Sequence, residues 1–196
     1  MLVLDARRSG DTVWPGRAYQ RFKDAGQMTD RHAALTALVD GHAALAEPAL
    51  ARFHALFAGD ELVIDKWFNL QARANEPLQP GAGSVLARVK QLMQHPDFSL
   101  KNPNRARSLL AGYCRENPAA FHRIDAAGYV FWADRVLELD AINPQLAARL
   151  ARTMDRWRAL AEPWRSAARE AVARVAASSR LSADVREIVG KALGTA

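Results

Sequence analysis

Residues 102–121 read NPNRARSLLAGYCRENPAAF, and the dipeptide Asn-Pro precedes each of the two helical patterns in this stretch. At a helix start, an asparagine side chain accepts a hydrogen bond from a free backbone N–H. The proline that follows supplies a helical backbone torsion at a position where its missing N–H has no consequence. The same dipeptide recurs at Asn143-Pro144. We therefore predict that helices begin after Asn102, Asn117 and Asn143.

The rest of the chain also shows the apolar period of α-helices, and no segment alternates apolar and polar residues as a half-buried strand does. Predicted helix starts lie about 15–25 residues apart, so a helix pair takes roughly 40 residues, as in HEAT and armadillo repeats. The sequence predicts an all-α fold of stacked antiparallel helix pairs in a HEAT/armadillo-like superhelix. The other predicted starts and segments are Thr29-Asp30, 48–57, 61–72, Ser84, Gly128, Glu162 and Ser182.

The composition is that of an ordinary globular chain. Of the 196 residues, 49% are apolar and 24% are charged, which excludes whole-chain disorder and collagen-like repeats. No apolar run reaches the roughly 18–20 residues that a membrane span requires, and residues 1–18 carry charges where a signal peptide is apolar. We expect a cytoplasmic protein with no membrane partner. The single cysteine, Cys114, fits a reducing compartment.

Standard catalytic sequence motifs are absent. The sequence has no phosphate-binding glycine loop, no G-x-S-x-G turn and no H-E-x-x-H helix. No two of the five histidines are four residues apart, so only an assembly of distant histidines stays open as a metal site. A lowered pKa at Cys114 is conceivable beside Arg115, but the sequence offers no base partner. We predict no catalytic residue and no metal ligand in this chain.

Two clusters of aromatic residues stand at helical spacing. Large aromatic side chains in such patterns usually anchor a core. A domain interface is the alternative for the first cluster, and a surface that stacks on nucleic-acid bases is the alternative for the second. The first cluster is Asp65-Lys66-Trp67-Phe68, and the second is Tyr129, Phe131 and Trp132.

The segment that begins at Pro144 carries two stripes of residues at helical spacing. The apolar stripe predicts the side that packs against the core. The other stripe is polar and cationic, so it is either a solvated face or a lining that meets an anion or a carboxylate. The apolar stripe is Leu146, Leu150, Met154 and Trp157, and the polar stripe is Gln145, Arg149, Arg152 and Arg156.

Five motifs in a fixed order carry a family resemblance. Over about residues 22–193 the chain resembles the C-terminal helical domain of bacterial aminopeptidase N, in the M1 family of zinc metallopeptidases. N-P-N-R-x-R-S-L is the most specific of the five. The motifs are Met28-Thr29-Asp30-Arg31, Asp65-Lys66-Trp67-Phe68, Asn102 to Leu109, Asn117 to His122, and Asn143-Pro144-Gln145 with Ala148-Arg149-Leu150.

The resemblance implies a stack of helices that closes over the active-site cavity of a zinc enzyme. In that family a β domain, a thermolysin-like catalytic domain and a small β-sandwich precede this domain. The zinc ligands lie in the catalytic domain, so the resemblance implies no cofactor in this chain. It also implies that Gln145 and Arg149 face the catalytic cavity. The helical spacing of the polar stripe predicts Arg152 and Arg156 as further lining residues on the same face.

The domain organisation follows from the same comparison of motifs. Residues 21–196 are expected to form a single helical-repeat domain. Residues 1–20, which include Trp14-Pro15-Gly16, do not resemble the preceding β-sandwich and stay unassigned, either as a remnant or as a flexible segment.

The sequence is compatible with two functions. The leading hypothesis is a non-catalytic domain that caps the cavity of an M1 aminopeptidase, has the catalytic domain as its partner, controls the access of peptides and is inactive alone. The alternative is a free-standing helical-repeat module that binds nucleic acid or protein, suggested by 27 basic against 21 acidic residues, a net charge of +6. Acidic residues interrupt the basic run in the C-terminal third, which makes nucleic acid the weaker hypothesis.

Overall fold

The computed structural model of the chain describes residues 11–77 and 83–194, and every regular element in these ranges is helical. The predicted all-α superhelix of stacked antiparallel helix pairs is confirmed. The helices are α1 (Trp14–Asp24), α2 (Met28–Asp40), α3 (Ala46–Leu56), α4 (Glu61–Ala72), α5 (Val85–Leu92), α6 (Pro103–Ala106), α7 (Gly112–Cys114), α8 (Pro118–Phe121), α9 (Ala127–Asp140), α10 (Pro144–Ala151), α11 (Trp164–Ala176) and α12 (Ala183–Leu193). A π-helical turn (Arg107–Ala111) joins α6 to α7, and two 3₁₀ turns (Arg152–Met154 and Trp157–Ala159) follow α10.

The three asparagines cap helices as predicted. The side-chain oxygen of Asn102 accepts from the N–H of Arg105 at 3.1 Å, and that of Asn143 accepts from the N–H of Leu146 at 3.0 Å. Asn117 caps α8 in the same way. Each helix start is therefore decided by a local hydrogen bond that the sequence alone predicts. Ser84 and Ser182 also cap their helices as expected.

Other helix boundaries differ from the prediction. Helix α2 begins at Met28 after Gln27, so Thr29 and Asp30 lie in its first turn and do not cap it. Helix α10 ends at Ala151, and the chain continues as a 3₁₀ turn where one helix was predicted as far as residue 157. The buried Met154 and Trp157 bring this irregular segment against the core, which shows tertiary packing overriding a helical pattern.

Helix α1 crosses the expected domain boundary between residues 20 and 21. Its Phe22 is buried, and Nη1 of Arg31 donates to the Phe22 carbonyl at 3.0 Å, which fixes the end of α1 on α2. At the other end of α1, Trp14 fills the space beside Gly41, where a Cβ atom would lie 2.3 Å from the indole ring. Residues 14–20 thus belong to the helical array. Residues 1–10 lie outside the described part of the chain.

Tryptophan side chains tie neighbouring helices together. In α4, Nε1 of Trp67 donates to the carbonyl of Leu50 in α3 at 3.0 Å. In α9, Nε1 of Trp132 donates to the carbonyl of Leu150 in α10 at 2.9 Å. The aromatic rings of both predicted clusters are buried, so packing in the core is confirmed for them. Each indole combines a large apolar contact with one hydrogen bond across the helix interface.

Candidate functional site

Three depressions on the helical stack share lining residues, and together they are called the groove. The first, about 980 Å³, lies between α2, α4 and the π turn. The second, about 280 Å³, lies between the π turn and α10, and it shares Arg107 and Glu116 with the first. The third, about 430 Å³, lies between α10 and α12 and shares Arg149 with the second. The groove therefore draws its lining from residues separated by up to 160 positions in the chain.

Gln145, Arg149 and Arg152 stand together at the α12 end of the groove. All three are exposed, and they line the third depression opposite Asp184 and Glu187. Arg149 also contacts the second depression, so it stands where the two depressions meet. The structure thus brings together three of the four residues in the predicted polar stripe.

Arg156 is the exception. The chain leaves the α-helix at Ala151, and a 3₁₀ turn advances by about 120° per residue where an α-helix advances by about 100°. Arg156 itself has a non-helical backbone, and it is absent from the lining of the three depressions. The expectation that Arg156 shares one helical face with Gln145 is therefore wrong.

The π turn shapes the centre of the groove. Its residues Arg107 and Ser108 line the first depression, and the carbonyl of Ser108 accepts from Nδ2 of Asn69 at 3.1 Å. Asn69 can approach only because residue 112 is glycine, since a Cβ there would lie 2.8 Å from Nδ2. π turns within helices are frequent at functional sites. The N-P-N-R-x-R-S-L motif contained these residues, but helical periodicity gave no signal for the turn.

A buried ion pair stabilises this part of the groove. Nε of Arg105 lies 2.6 Å from Oδ1 of Asp65, and the same guanidinium donates to the carbonyl of Asp97 and lies over the ring of Phe68. Arg105 lies in α6, the single helical turn before the π turn, and Asp65 lies in α4. The pair therefore fixes the register between the two motifs whose side chains form the wall of the first depression.

Four cations of the groove lack a carboxylate partner. Within residues 11–77 and 83–194, no carboxylate oxygen lies within ion-pair distance of their side-chain nitrogens, whereas Glu116 is paired with Arg73 at 3.4 Å and Arg152 with Asp155 at 3.7 Å. Unpaired cations in a depression are free to meet an anion. The four cations are Lys66, Arg107, Arg115 and Arg149.

Burial changes the pKa values of His32 and Cys114. Burial, together with the charges of Lys66 and Arg73, lowers the pKa of His32 in the first depression, so its imidazole stays neutral near pH 7. Burial raises the pKa of the Cys114 thiol, which contacts the core. A reactive thiolate at Cys114 is therefore excluded, and the hypothesis of a lowered pKa there is wrong.

A separate cluster of side chains of the types that can hold a metal ion lies outside the groove. It consists of His54, His95 and Asp97, whose ligand atoms all lie within 4.8 Å of one another. The sequence left such an assembly of distant histidines open but could not place it.

No helix in the described ranges is both long and apolar enough to cross a membrane.

The fold and the groove define a class of protein, an all-helical repeat domain of the armadillo type. A family model described as a domain of unknown function (DUF3458_C) with ARM repeats matches residues 2–194. The chain belongs to this family.

Aminopeptidases are the relatives of this chain. It is 39% identical over 178 residues to aminopeptidase N of Caulobacter vibrioides, covering 91% of this chain and 20% of that protein. It is 35% identical over 174 residues to aminopeptidase N of Escherichia coli, covering 89% of this chain and 19% of that protein. A solved structure of Legionella pneumophila aminopeptidase A in complex with aspartic acid superposes with a TM-score of 0.83 at 31% identity, covering 93% of this chain and 21% of that one.

These matches confirm the resemblance to the C-terminal helical-repeat domain of bacterial aminopeptidase N. The chain spans about one fifth of the length of the relatives. The family model begins at residue 2, so its match includes residues 2–20.

Proposed function

We propose that this chain acts as the non-catalytic domain that caps the active-site cavity of an M1 zinc aminopeptidase and controls the access of peptides to it. The observation that supports the proposal most directly is Arg149, an exposed cation without a carboxylate partner in the described ranges, at the junction of two depressions. Its partner under this proposal is the catalytic domain of the same aminopeptidase. The expected cytoplasmic location stays a prediction.

Arg149 and Gln145 would bind the part of a peptide that extends away from the reacting bond. The guanidinium offers a planar fork of donors with a permanent charge, which suits a peptide carboxylate or a backbone carbonyl. Gln145 lies one helical turn before Arg149 and adds a neutral donor and acceptor. Both residues would hold the substrate and leave the chemical step to the catalytic domain.

Enclosure of the active-site cavity by this domain would control the access of peptides. A domain that lies over a catalytic cavity excludes folded proteins and admits short or extended chains, and it also limits the entry of bulk water. The mixture of cations, amides and apolar side chains in the groove suits peptides, which present both charges and apolar groups. The first depression, for example, combines Lys66 with Leu62 and Met28.

The residues of this chain do not fit the catalytic zinc. Bound zinc polarises a peptide carbonyl and activates water, and in the family its ligands include an H-E-x-x-H helix that this sequence lacks. In the described ranges, His54, His95 and Asp97 are the one group of potential ligands found together, and it contains no glutamate and lies outside the groove. No step of hydrolysis is therefore assigned to this chain, and we expect it to be inactive alone.

The test is steady-state kinetics of an intact aminopeptidase that carries this domain, with Arg149→Ala. We expect KM for peptides to rise by about 5- to 150-fold, equivalent to about 1–3 kcal/mol, with little change in kcat, because binding is lost while the chemistry remains. Arg149→Lys should recover only part of the affinity, because an ammonium cannot reproduce the planar fork.

Arg156→Ala is the matched control, because Arg156 is an exposed arginine of the same segment that lies outside the groove. Its KM should equal that of the unmodified enzyme. Unchanged peptide kinetics in Arg149→Ala, with the fold intact, would refute the role of Arg149. The nucleic-acid alternative predicts instead a binding of DNA that weakens steeply with salt, and such binding would favour that hypothesis.

A further inference from the structure

The cluster of His54, His95 and Asp97 joins two parts of the chain that are distant in sequence. His54 lies in the last turn of α3, whereas His95 and Asp97 follow α5. Oδ2 of Asp97 lies 2.6 Å from Nε2 of His54 and 3.8 Å from Nδ1 of His95. We propose that these three side chains bind one divalent transition-metal ion of the Zn²⁺ type.

The distances agree with a tetrahedral ion after small movements. Ligand atoms that lie about 2.0–2.1 Å from a tetrahedral Zn²⁺ are about 3.3 Å from one another. The two distances to Asp97, 2.6 Å and 3.8 Å, bracket that value. All three ligand atoms lie within 4.8 Å of one another, so side-chain rotations can convert the hydrogen-bonded arrangement into a coordination set.

The ligand types select the ion. Two imidazole nitrogens and one carboxylate oxygen suit Zn²⁺, Co²⁺ and Ni²⁺, whereas Mg²⁺ and Ca²⁺ prefer oxygen ligands. Asp97 is 42% exposed and the two histidines are about one quarter exposed, so water can complete the coordination sphere. Three protein ligands with one open position is an established zinc geometry.

The surroundings hold the ligands in place. The ring of Trp67 lies 4.9 Å from that of His54 and 5.2 Å from that of His95, so one indole packs against both imidazoles. Arg105 donates to the carbonyl of Asp97 and thereby fixes the turn that carries two of the ligands. Such supporting contacts reduce the reorganisation that metal binding requires.

Nearby positive charges are compensated. Arg105 is paired with Asp65 at 2.6 Å, and Arg88 is paired with Glu47 at 3.0 Å, so neither guanidinium stands as an isolated cation beside the cluster. Two local hydrogen bonds compete with the metal: Nε2 of His54 lies 2.6 Å from Oδ2 of Asp97, and Nδ1 of His95 accepts from the N–H of Asp97 at 3.2 Å. The second bond is long and exposed, and the first is replaced by metal bonds from both of its partners.

The experiment uses the 196-residue chain without a polyhistidine tag, after treatment with a chelator. Calorimetric titration with ZnCl₂ should give saturable binding of one ion per chain, and Co²⁺ should give the visible absorption of a four-coordinate complex. Zn²⁺ should also raise the Tm of the chain, because only the folded state brings the three ligands together.

Asp97→Asn and His54→Gln should each weaken Zn²⁺ binding by about tenfold or more, since even the loss of an outer-shell partner costs that much. Both substitutions are close in size to the original residue, and the far-ultraviolet spectrum reports whether the helices persist. His32→Gln is the matched control, because it removes a histidine of the groove and leaves the cluster intact.

Two results would overturn the proposal. One is an unmodified chain that shows no saturable binding of Zn²⁺ or Co²⁺, which would identify the cluster as a hydrogen-bonded trio only. The other is Zn²⁺ binding that persists unchanged in Asp97→Asn and His54→Gln. Both outcomes are independent of peptide kinetics, so this proposal and the capping function succeed or fail separately.

Discussion

The guanidinium of Arg105 lies 2.6 Å from the carboxylate of Asp65, and the two residues are 5% and 8% exposed. Forty positions separate them in the chain. The pair connects α4 to the turn that leads into the π segment, and it also supports Asp97 through the carbonyl of that residue. One buried contact thus supports both the wall of the groove and the turn of the histidine cluster.

Loss of one partner in this pair should destabilise the chain strongly. Arg105→Met leaves the carboxylate of Asp65 buried and uncompensated, so we expect a fall of about 3–5 kcal/mol in the free energy of unfolding. Urea denaturation, monitored by circular dichroism, measures this free energy of unfolding. Arg156→Ala, on an exposed arginine, should change the same free energy by less than about 0.5 kcal/mol. Equal stability of Arg105→Met and the unmodified chain would contradict the assignment.

The capping asparagines should differ in their effect on stability. Asn143→Ala removes a cap and should cost about 1 kcal/mol. Asn117→Ala should cost about 3 kcal/mol, because Nδ2 of Asn117 also donates to the carbonyls of Ala72 and Ala74 at 3.0 Å and 2.8 Å, and both carbonyls would lose a partner in the core. Denaturant unfolding of the two variants side by side tests the difference. Equal costs would mean that the two tertiary hydrogen bonds of Asn117 contribute nothing.

A methyl group at position 112 should disturb the π turn. In Gly112→Ala the new Cβ would lie 2.8 Å from Nδ2 of Asn69 and 3.1 Å from Cβ of Ala72, and we expect a loss of about 1–3 kcal/mol. Gly16→Ala is the control, because its Cβ meets no atom within 4 Å and the residue lies within α1. That substitution should raise the stability by about 0.5–1 kcal/mol. A neutral Gly112→Ala would show that Asn69 moves without cost.

Stability should fall as the pH falls below about 6.5. Burial lowers the pKa of His32 and of His122 from the ordinary value of 6.5, so the unfolded chain binds protons at a pH where the folded chain does not. Their contribution is fully present above pH 6.5 and is lost progressively as the pH decreases from 6.5 through the lower pKa values of the folded state. Urea denaturation between about pH 5 and about pH 7.5 measures the slope.

His122→Gln is the informative variant for this pH dependence. It removes one of the three histidines whose pKa is lowered, so the slope of unfolding free energy against pH should become smaller. His42→Gln changes an exposed histidine and should retain the slope of the unmodified chain. A slope that is identical in all three proteins would show that His122 does not contribute to the acid sensitivity.

Much of the fold could be predicted because its signals are local. A cap such as Asn102 acts within one helical turn, and the spacing of apolar residues follows from 3.6 residues per turn. The same geometry predicted that Gln145 and Arg149, one turn apart, share a face. It failed at Arg156, because a 3₁₀ turn between the two residues depends on packing against other helices.

The groove and the histidine cluster could not be predicted in this way. Lys66, Arg107 and Arg149 line connected depressions although each lies on a different element. His54 reaches Asp97 across 43 positions of the chain. Such meetings depend on how helices cross and on which side chains fill the space between them, and neither quantity is encoded in a local period.

The sequence by itself determined the helical fold class, the five predicted caps at asparagine and serine residues and the family of this protein, since each follows from hydrogen bonds, periodicity and motifs that act within a few residues. Only the tertiary structure decided which charges share a groove, which arginine pairs with Asp65, and that two distant histidines meet one aspartate. The physical reason is the sequence separation over which each interaction acts. Backbone preferences act over about one helical turn, whereas sites form where packed helices bring distant residues together.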